Sequence, residues 1–210
     1  MKKILSGFRR ERRNRYFIAN ILGVLSFLVI GFLIAPIIHE LLHMLVFEFH
    51  GCYYTSHLAI DESMRLHGSL KPFCDLDVTQ SVILLGVGVS GNFILACILF
   101  LLSYEAGKTG ELPLSNFLVL TAWGFFLDPL FYLFADEGDI INILMLTERG
   151  DLIQYLPMLG SILFLLFMAY TYLHLRNSFE DYLDIMHEIK TTEVFVNQIN
   201  SGSRLKVKAK

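Results

Sequence analysis

Charge and cysteine are both scarce in this chain of 210 residues: Asp, Glu, Lys and Arg together make 18% of it, and there are three cysteines. The shortage of charge, set against 54% hydrophobic residues and a mean hydropathy of +0.55, excludes an ordinary soluble domain. The length suffices for one compact multi-pass membrane unit. Three cysteines permit at most one disulfide, between Cys52 and Cys74 in a polar loop, and only where that loop faces an oxidising compartment. Cys97 lies in an apolar segment, and three free thiols are the expectation. No internal repeat is found. The first apolar run carries on without a small-residue cleavage site, so this segment is expected to stay in the mature protein.

What charge there is lies unevenly. The opening MKKILSGFRRERRNR holds seven of the seventeen Lys and Arg, just before the first apolar run. Such a cluster holds a first span at the lipid headgroups and signals topology, so no nucleic-acid partner is expected. Residues 1–16 are therefore read as a basic cytoplasmic or juxtamembrane segment. Four apolar stretches reach the length of about twenty residues that a spanning helix needs: 17–49, 79–104, 114–135 and 152–175. The first exceeds one crossing and is expected to tilt, bend at Pro36 or start as an interfacial turn. The last has no acidic residue beyond its neighbour Asp151. The fold class is thus an all-α membrane protein of about four transmembrane helices.

Between the first two spans, alternating residues around a polar Asp61-Glu62-Ser63 turn predict a short β-hairpin at the membrane surface. His50, His57 and His67 in this region share no metal-ligand spacing and are read as ordinary loop histidines. Residues 176–210 read as a tail. Phe179, Tyr182, Leu183, Met186 and Ile189 give it an amphipathic helix, and its end is basic and mobile. Flank charges put both termini in the cytoplasm, as an even number of spans requires.

One stretch of the first span breaks the apolar pattern. PIIHELLHMLVF, residues 36–47, carries His39, Glu40 and His43. Four residues apart on a helix, the two imidazoles project from one face and can share an ion, with Glu40 beside it as a general base. Ionisable groups cost about 2.5–3.5 kcal/mol each near a bilayer centre, and a divalent cation compensates them. A two-histidine site needs a third protein ligand and keeps a fourth position open for water. Asp128, Asp136 and Asp139, around the end of the third span, are equal candidates on ligand chemistry. Each also has a plain role. Asp128 before Pro129 can open a helix, Asp136 can be a solvated loop charge, and Asp139 can be an N-cap.

These residues together resemble the site-2 protease family of intramembrane zinc proteases. HELLH is similar to that family's metal-binding helix. GVGVSGN, residues 86–92, resembles its Ala-Gly-Pro-x-x-Asn element, with Asn92 on the asparagine. A third span ending in Asp completes a three-helix core over residues 19–146. Ser90-Gly91 stands where the family has a proline-containing turn, and the Asn-Pro…Leu-Asp-Gly motif is absent. Laid by position on Leu-Asp-Gly, the ligand is Asp136. A divergent branch pairs Gly-Asp at a helix start with a Thr about eight residues on, which matches Gly138-Asp139 and Thr147 and makes Asp139 the ligand.

The resemblance implies that residues 17–175 form an intramembrane metalloprotease-like domain. It implies a Zn²⁺ cofactor on His39, His43 and Asp139, Glu40 as the catalytic base, and transmembrane segments of other proteins as substrates. Gly86, Gly88 and Gly91 would let the second span approach the metal helix, and the hairpin could hold an extended substrate as an added strand. The family also implies a metal helix that enters from outside, opposite to the flank charges. Two other classes remain: a non-catalytic relative that binds membrane proteins, and a metal-dependent membrane hydrolase acting on a prenyl-protein or a lipid.

Overall fold

The first apolar run folds as one rod in three parts. In the computed structural model, which describes residues 2–60 and 66–207, α1 (Lys2–Val29) passes through a π-helical segment (Ile30–Ile34) into α2 (Ala35–Phe49). The Ala35 N–H bonds the Ile30 carbonyl, five residues back. Pro36 has no N–H to give, and its ring crowds the carbonyl four residues behind it; a widened turn just ahead of it relieves both. The accommodation expected at Pro36 is therefore a π segment immediately before it.

α2 stops in a Schellman motif. Gly51, at φ +66°, takes the left-handed position; its N–H bonds Glu48 O at 3.1 Å, and Cys52 N–H bonds Phe47 O at 2.9 Å. The chain then enters β1 (Tyr54–Ile60), which pairs antiparallel with β2 (Leu66–Pro72), Tyr54 opposite Pro72 and Ile60 opposite Leu66. The Asp61-Glu62-Ser63 turn and the side chains of His57 and His67 lie outside the described residues. His50 is half-buried, its Nδ1 3.4 Å from Gln80 Nε2. The expectation of three free thiols is overturned, since Cys52 and Cys74 form a disulfide and only Cys97 is free. Each of the bonded pair stands two residues outside the Tyr54–Pro72 pairing, so strand register brings their Cα atoms to 5.6 Å.

α3 (Val78–Lys108) begins with a capping box between Asp77 and Gln80. α4 (Leu112–Phe134), α5 (Asp139–Leu146), a 3₁₀ turn (Gly150–Tyr155) and α6 (Leu156–Val207) follow. Four helical stretches, Arg13–Phe49, Val78–Lys108, Leu112–Phe134 and Gly150–Glu188, are long and apolar enough to cross a bilayer. α4 is the hub and packs against α1, α3 and α6. Its Trp123 and Phe126 meet Phe100 of α3 and Phe167 of α6, with the Phe126 and Phe167 rings stacked at 3.9 Å. Asp128-Pro129 does not open a helix, because α4 runs straight through it.

The tail also differs from expectation. α6 continues unbroken to Val207, so residues 176–207 extend the fourth span instead of forming a separate helix and a loose end. The inward face carries Ser178, Asp181, Tyr182 and Ile185; Asp181 is bonded to the Tyr16 hydroxyl of α1, and Tyr182 lies edge-on to its ring. Of the expected stripe, Phe179, Leu183 and Met186 are exposed, and the Ile189 side chain lies outside the described residues. An uninterrupted helix keeps the rotation set by its span, and Thr171, Ser178 and Ile185, seven residues apart, continue one inward row.

Candidate metal centre

The site is built on one turn of α2. His39 and His43, four residues apart, sit with ring centroids 4.7 Å apart, and both are buried. α3 makes room for them. A Cβ on Gly88 would lie 2.6 Å from His39 Nε2, and one on Gly91 would lie 2.1 Å from Leu42 Cδ1, so these two glycines set how closely α3 meets α2. Gly86 plays no such part, its nearest such contact being Ile143 at 3.8 Å.

Each imidazole is held by its Nδ1. His43 Nδ1 lies 2.6 Å from the Leu84 carbonyl, which can only accept, so this nitrogen carries the proton. His39 Nδ1 lies 2.9 Å from Asp128 Oδ2, deep in the bundle, where the same logic applies. Asn92 Nδ2 donates to that Asp128 oxygen at 2.9 Å and to the Ala35 carbonyl at 2.9 Å, tying α3, α4 and α2 together. With both Nδ1 protonated, the lone pairs of neutral imidazoles are on Nε2.

Both Nε2 atoms face the same carboxylate. Asp139 Oδ2 is 2.8 Å from His39 Nε2 and 3.3 Å from His43 Nε2. A lone pair and an anion at such distances repel unless a second proton or a metal cation lies between them. Ligands bound at about 2.0–2.1 Å in a tetrahedron stand about 3.3 Å apart; His43 Nε2 and Asp139 Oδ2 have that spacing, His39 Nε2 is closer to Asp139, and all three ligand atoms lie within 4.8 Å of one another. Among the described residues, His39, His43 and Asp139 are the group of ligand atoms close enough to share one. With protons in those places, burial pushes the Asp139 carboxyl up, but the His39 and His43 hydrogen bonds outweigh it and hold it at about 2.

Asp139 reaches the imidazoles through a tight backbone turn. Gly138 has φ +124°, a conformation that L side chains rarely adopt, and a Cβ there would come within 2.9 Å of the Tyr132 ring. Asp139 is the first residue of α5 and makes no capping bond, the N-cap position being Gly138. Asp136 is exposed in the preceding loop. Asp128 stands on the far side of His39 from Asp139 and holds the ring. Glu40 follows His39 on α2 and is half-buried.

The centre is an acidic one. Asp128 and Asp139 bring two carboxylates to the His39 imidazole, Asp139 facing His43 as well, within an apolar bundle, a charge that a divalent cation offsets. The donor set of two imidazoles and one carboxylate suits zinc, and a carboxylate behind the first imidazole is the usual support for a metal-bound histidine. Two supporting parts were not anticipated in the sequence. One is the Leu84 carbonyl. The other is Tyr132, whose ring stacks on His39 at 5.1 Å and whose hydroxyl is 3.3 Å from His39 Nε2. The signal for Tyr132 was present: it lies four residues after Asp128 on α4, on the same face.

Neither a protein-family model, nor a curated protein, nor a solved structure matches this chain.

Proposed function

We propose that the chain is a zinc-dependent endopeptidase of the membrane, resembling the site-2 proteases, that cuts peptide bonds in transmembrane segments of other proteins. The observation that carries this reading is the convergence of Asp139 Oδ2 on His39 Nε2 and His43 Nε2, the two histidines of a His-Glu-x-x-His stretch on a helix apolar enough to span a bilayer. A cation bound there supplies Lewis-acid polarisation of a carbonyl and lowers the pKa of water to about 7.

The chain's own residues do the rest. Glu40 accepts the proton of the attacking water and returns it to the leaving amine nitrogen. Asp128 and the Leu84 carbonyl keep the Nδ1 protons on His39 and His43, so both Nε2 atoms remain ligands. The substrate must be unwound, since an intact helix hides its carbonyls in hydrogen bonds. The β1–β2 sheet, tied to the end of α2 by the Cys52–Cys74 disulfide, has an edge on which an extended segment can pair.

The disulfide also bears on orientation. It requires an oxidising compartment on the side of β1 and β2, while the basic amino terminus at the other end of the first rod favours the cytoplasm. Both agree with the flank charges and oppose the orientation implied by the family. The site then opens toward the exterior, about ten residues or 15 Å of helix from the end of α2.

The test is proteolysis of candidate single-pass membrane proteins by the purified, zinc-loaded chain in liposomes. Wild type should cut, and Glu40→Gln should retain zinc while cutting at least about a hundredfold more slowly. Equal effects of wild type and Glu40→Gln would instead favour a binding protein.

A further inference from the structure

Tyr132 has no place in the reaction as described, although it lies against the centre. Its ring stacks on the His39 imidazole with an interplanar angle of 7°, and its hydroxyl reaches to 3.3 Å from Nε2, the atom that faces Asp139. Packing alone would be served by phenylalanine. Tyr132 is on the last turns of α4, four residues beyond Asp128, so one helix face presents a carboxylate to the Nδ1 side of His39 and a phenol to the Nε2 side. Gly138 is the counterpart of this placement. A Cβ there would strike Cδ1 and Cε1 of Tyr132 at 2.9 Å, so the loop that delivers Asp139 is packed against the ring.

We infer that Tyr132 is a further catalytic residue, whose phenol O–H donates a hydrogen bond to the oxygen of the scissile carbonyl as that oxygen gains negative charge. This inference rests on the hydrolase reading above. The supporting physics is electrostatic. Peptide hydrolysis passes through a tetrahedral species: a water oxygen bonds to the carbonyl carbon, the C=O electron pair moves onto oxygen, and the C–N bond then breaks as the amine takes a proton. Within an apolar bundle, a fixed donor aimed at that oxygen is worth far more than it would be in water. Two carboxylates, Asp128 and Asp139, already face the imidazoles, so an added anion needs a donor, and a neutral phenol supplies one without bringing another charge into the membrane. The hydroxyl stands within 3.3 Å of a ligand atom, where the carbonyl of a bound substrate must come.

The test compares wild type with Tyr132→Phe, which keeps the ring and its stacking on His39 and removes only the oxygen. The full-length chain in detergent is loaded with zinc. Binding is then measured by calorimetry for a phosphinic Leu-Leu peptide, whose PO₂⁻ group imitates the tetrahedral species, and for the same peptide with a neutral methylene in its place. Wild type should prefer the phosphinate strongly. Tyr132→Phe should hold zinc as tightly as wild type, bind the methylene peptide equally well, and lose roughly a hundredfold in phosphinate affinity. Unchanged phosphinate affinity would overturn the inference and leave the hydrolase reading standing, and so would loss of zinc from the variant, which would assign the hydroxyl to metal retention. If wild type itself shows no preference for phosphinate over methylene, the hydrolase reading fails and the inference falls with it.

Discussion

Two buried polar clusters interrupt the apolar interior, and each contains histidine. At one end of the bundle His39 and His43 meet Asp128 and Asp139. Toward the other, His174 of α6 meets Ser115 of α4, with Nε2 to Oγ at 2.9 Å, while Ser115 donates to the Ser103 carbonyl of α3. Nearby, Ser178 donates to Asn116 Oδ1 at 2.8 Å, and Asn116 Nδ2 donates to Asn20 Oδ1 at 3.2 Å. In this second cluster the partners are neutral, and each of these bonds has one donor and one acceptor supplied by the chain. It joins α1, α3, α4 and α6 and asks for nothing from outside. In the first cluster acceptors exceed donors. Once both Nδ1 protons are placed, two Nε2 lone pairs and a carboxylate face one another, with the Tyr132 hydroxyl, 3.3 Å from His39 Nε2, as a donor beside them. Histidine in a membrane bundle is therefore not informative by itself; what separates glue from a candidate metal centre is whether the protons suffice.

Substitutions that shift this balance should have graded effects. The largest is expected for Asp128→Asn. The amide oxygen can still accept from both His39 Nδ1 and Asn92 Nδ2, which share one oxygen of Asp128, but without the carboxylate's charge it holds the Nδ1 proton of His39 more weakly. Zinc affinity, measured by chelator competition, should fall about 10- to 100-fold with the helix content unchanged. An effect below about twofold would mean that Asp128 does not orient the ring. Ser115→Ala probes the other cluster and should give the reverse pattern. Interhelical hydrogen bonds of this kind contribute about 0.6 kcal/mol on average and up to about 1.7, so a loss of about 1 kcal/mol in detergent unfolding is expected, with zinc affinity as in wild type. Loss of zinc from Ser115→Ala would contradict the separation of the two clusters.

Much of this was legible in the sequence, for reasons that differ between residues. The four spanning-length helices follow from hydropathy, which needs no tertiary information. His39, Glu40 and His43 are local, because helical spacing alone puts the two imidazoles on one face. On ligand chemistry Asp139 was one of three equal carboxylates and was chosen through the family resemblance alone, since its place depends on how α4 ends and how Gly138 turns the chain back, and φ at one glycine is not written in composition. Asp128 was visible as an intramembrane acid but was weighed as a ligand or a helix opening; its partner, Nδ1 of His39, lies 89 residues away. The Cys52–Cys74 bond was missed because it depends on strand register. The α6 tail was misread because an apolar stripe at helical spacing does not say which face finds α1; that is fixed by Thr171 and Ser178 further up the same helix.

The most direct measurement is the zinc content and X-ray absorption spectrum of the purified chain after reconstitution, compared with Asp139→Ala and Asp136→Ala. Wild type should hold about one ion per chain, with two imidazole nitrogens and oxygen ligands at about 2.0–2.1 Å. Asp139→Ala should lose the ion, and Asp136→Ala should match wild type. A wild-type chain that holds no zinc against a mild chelator, or one whose spectrum shows no imidazole, would contradict the account.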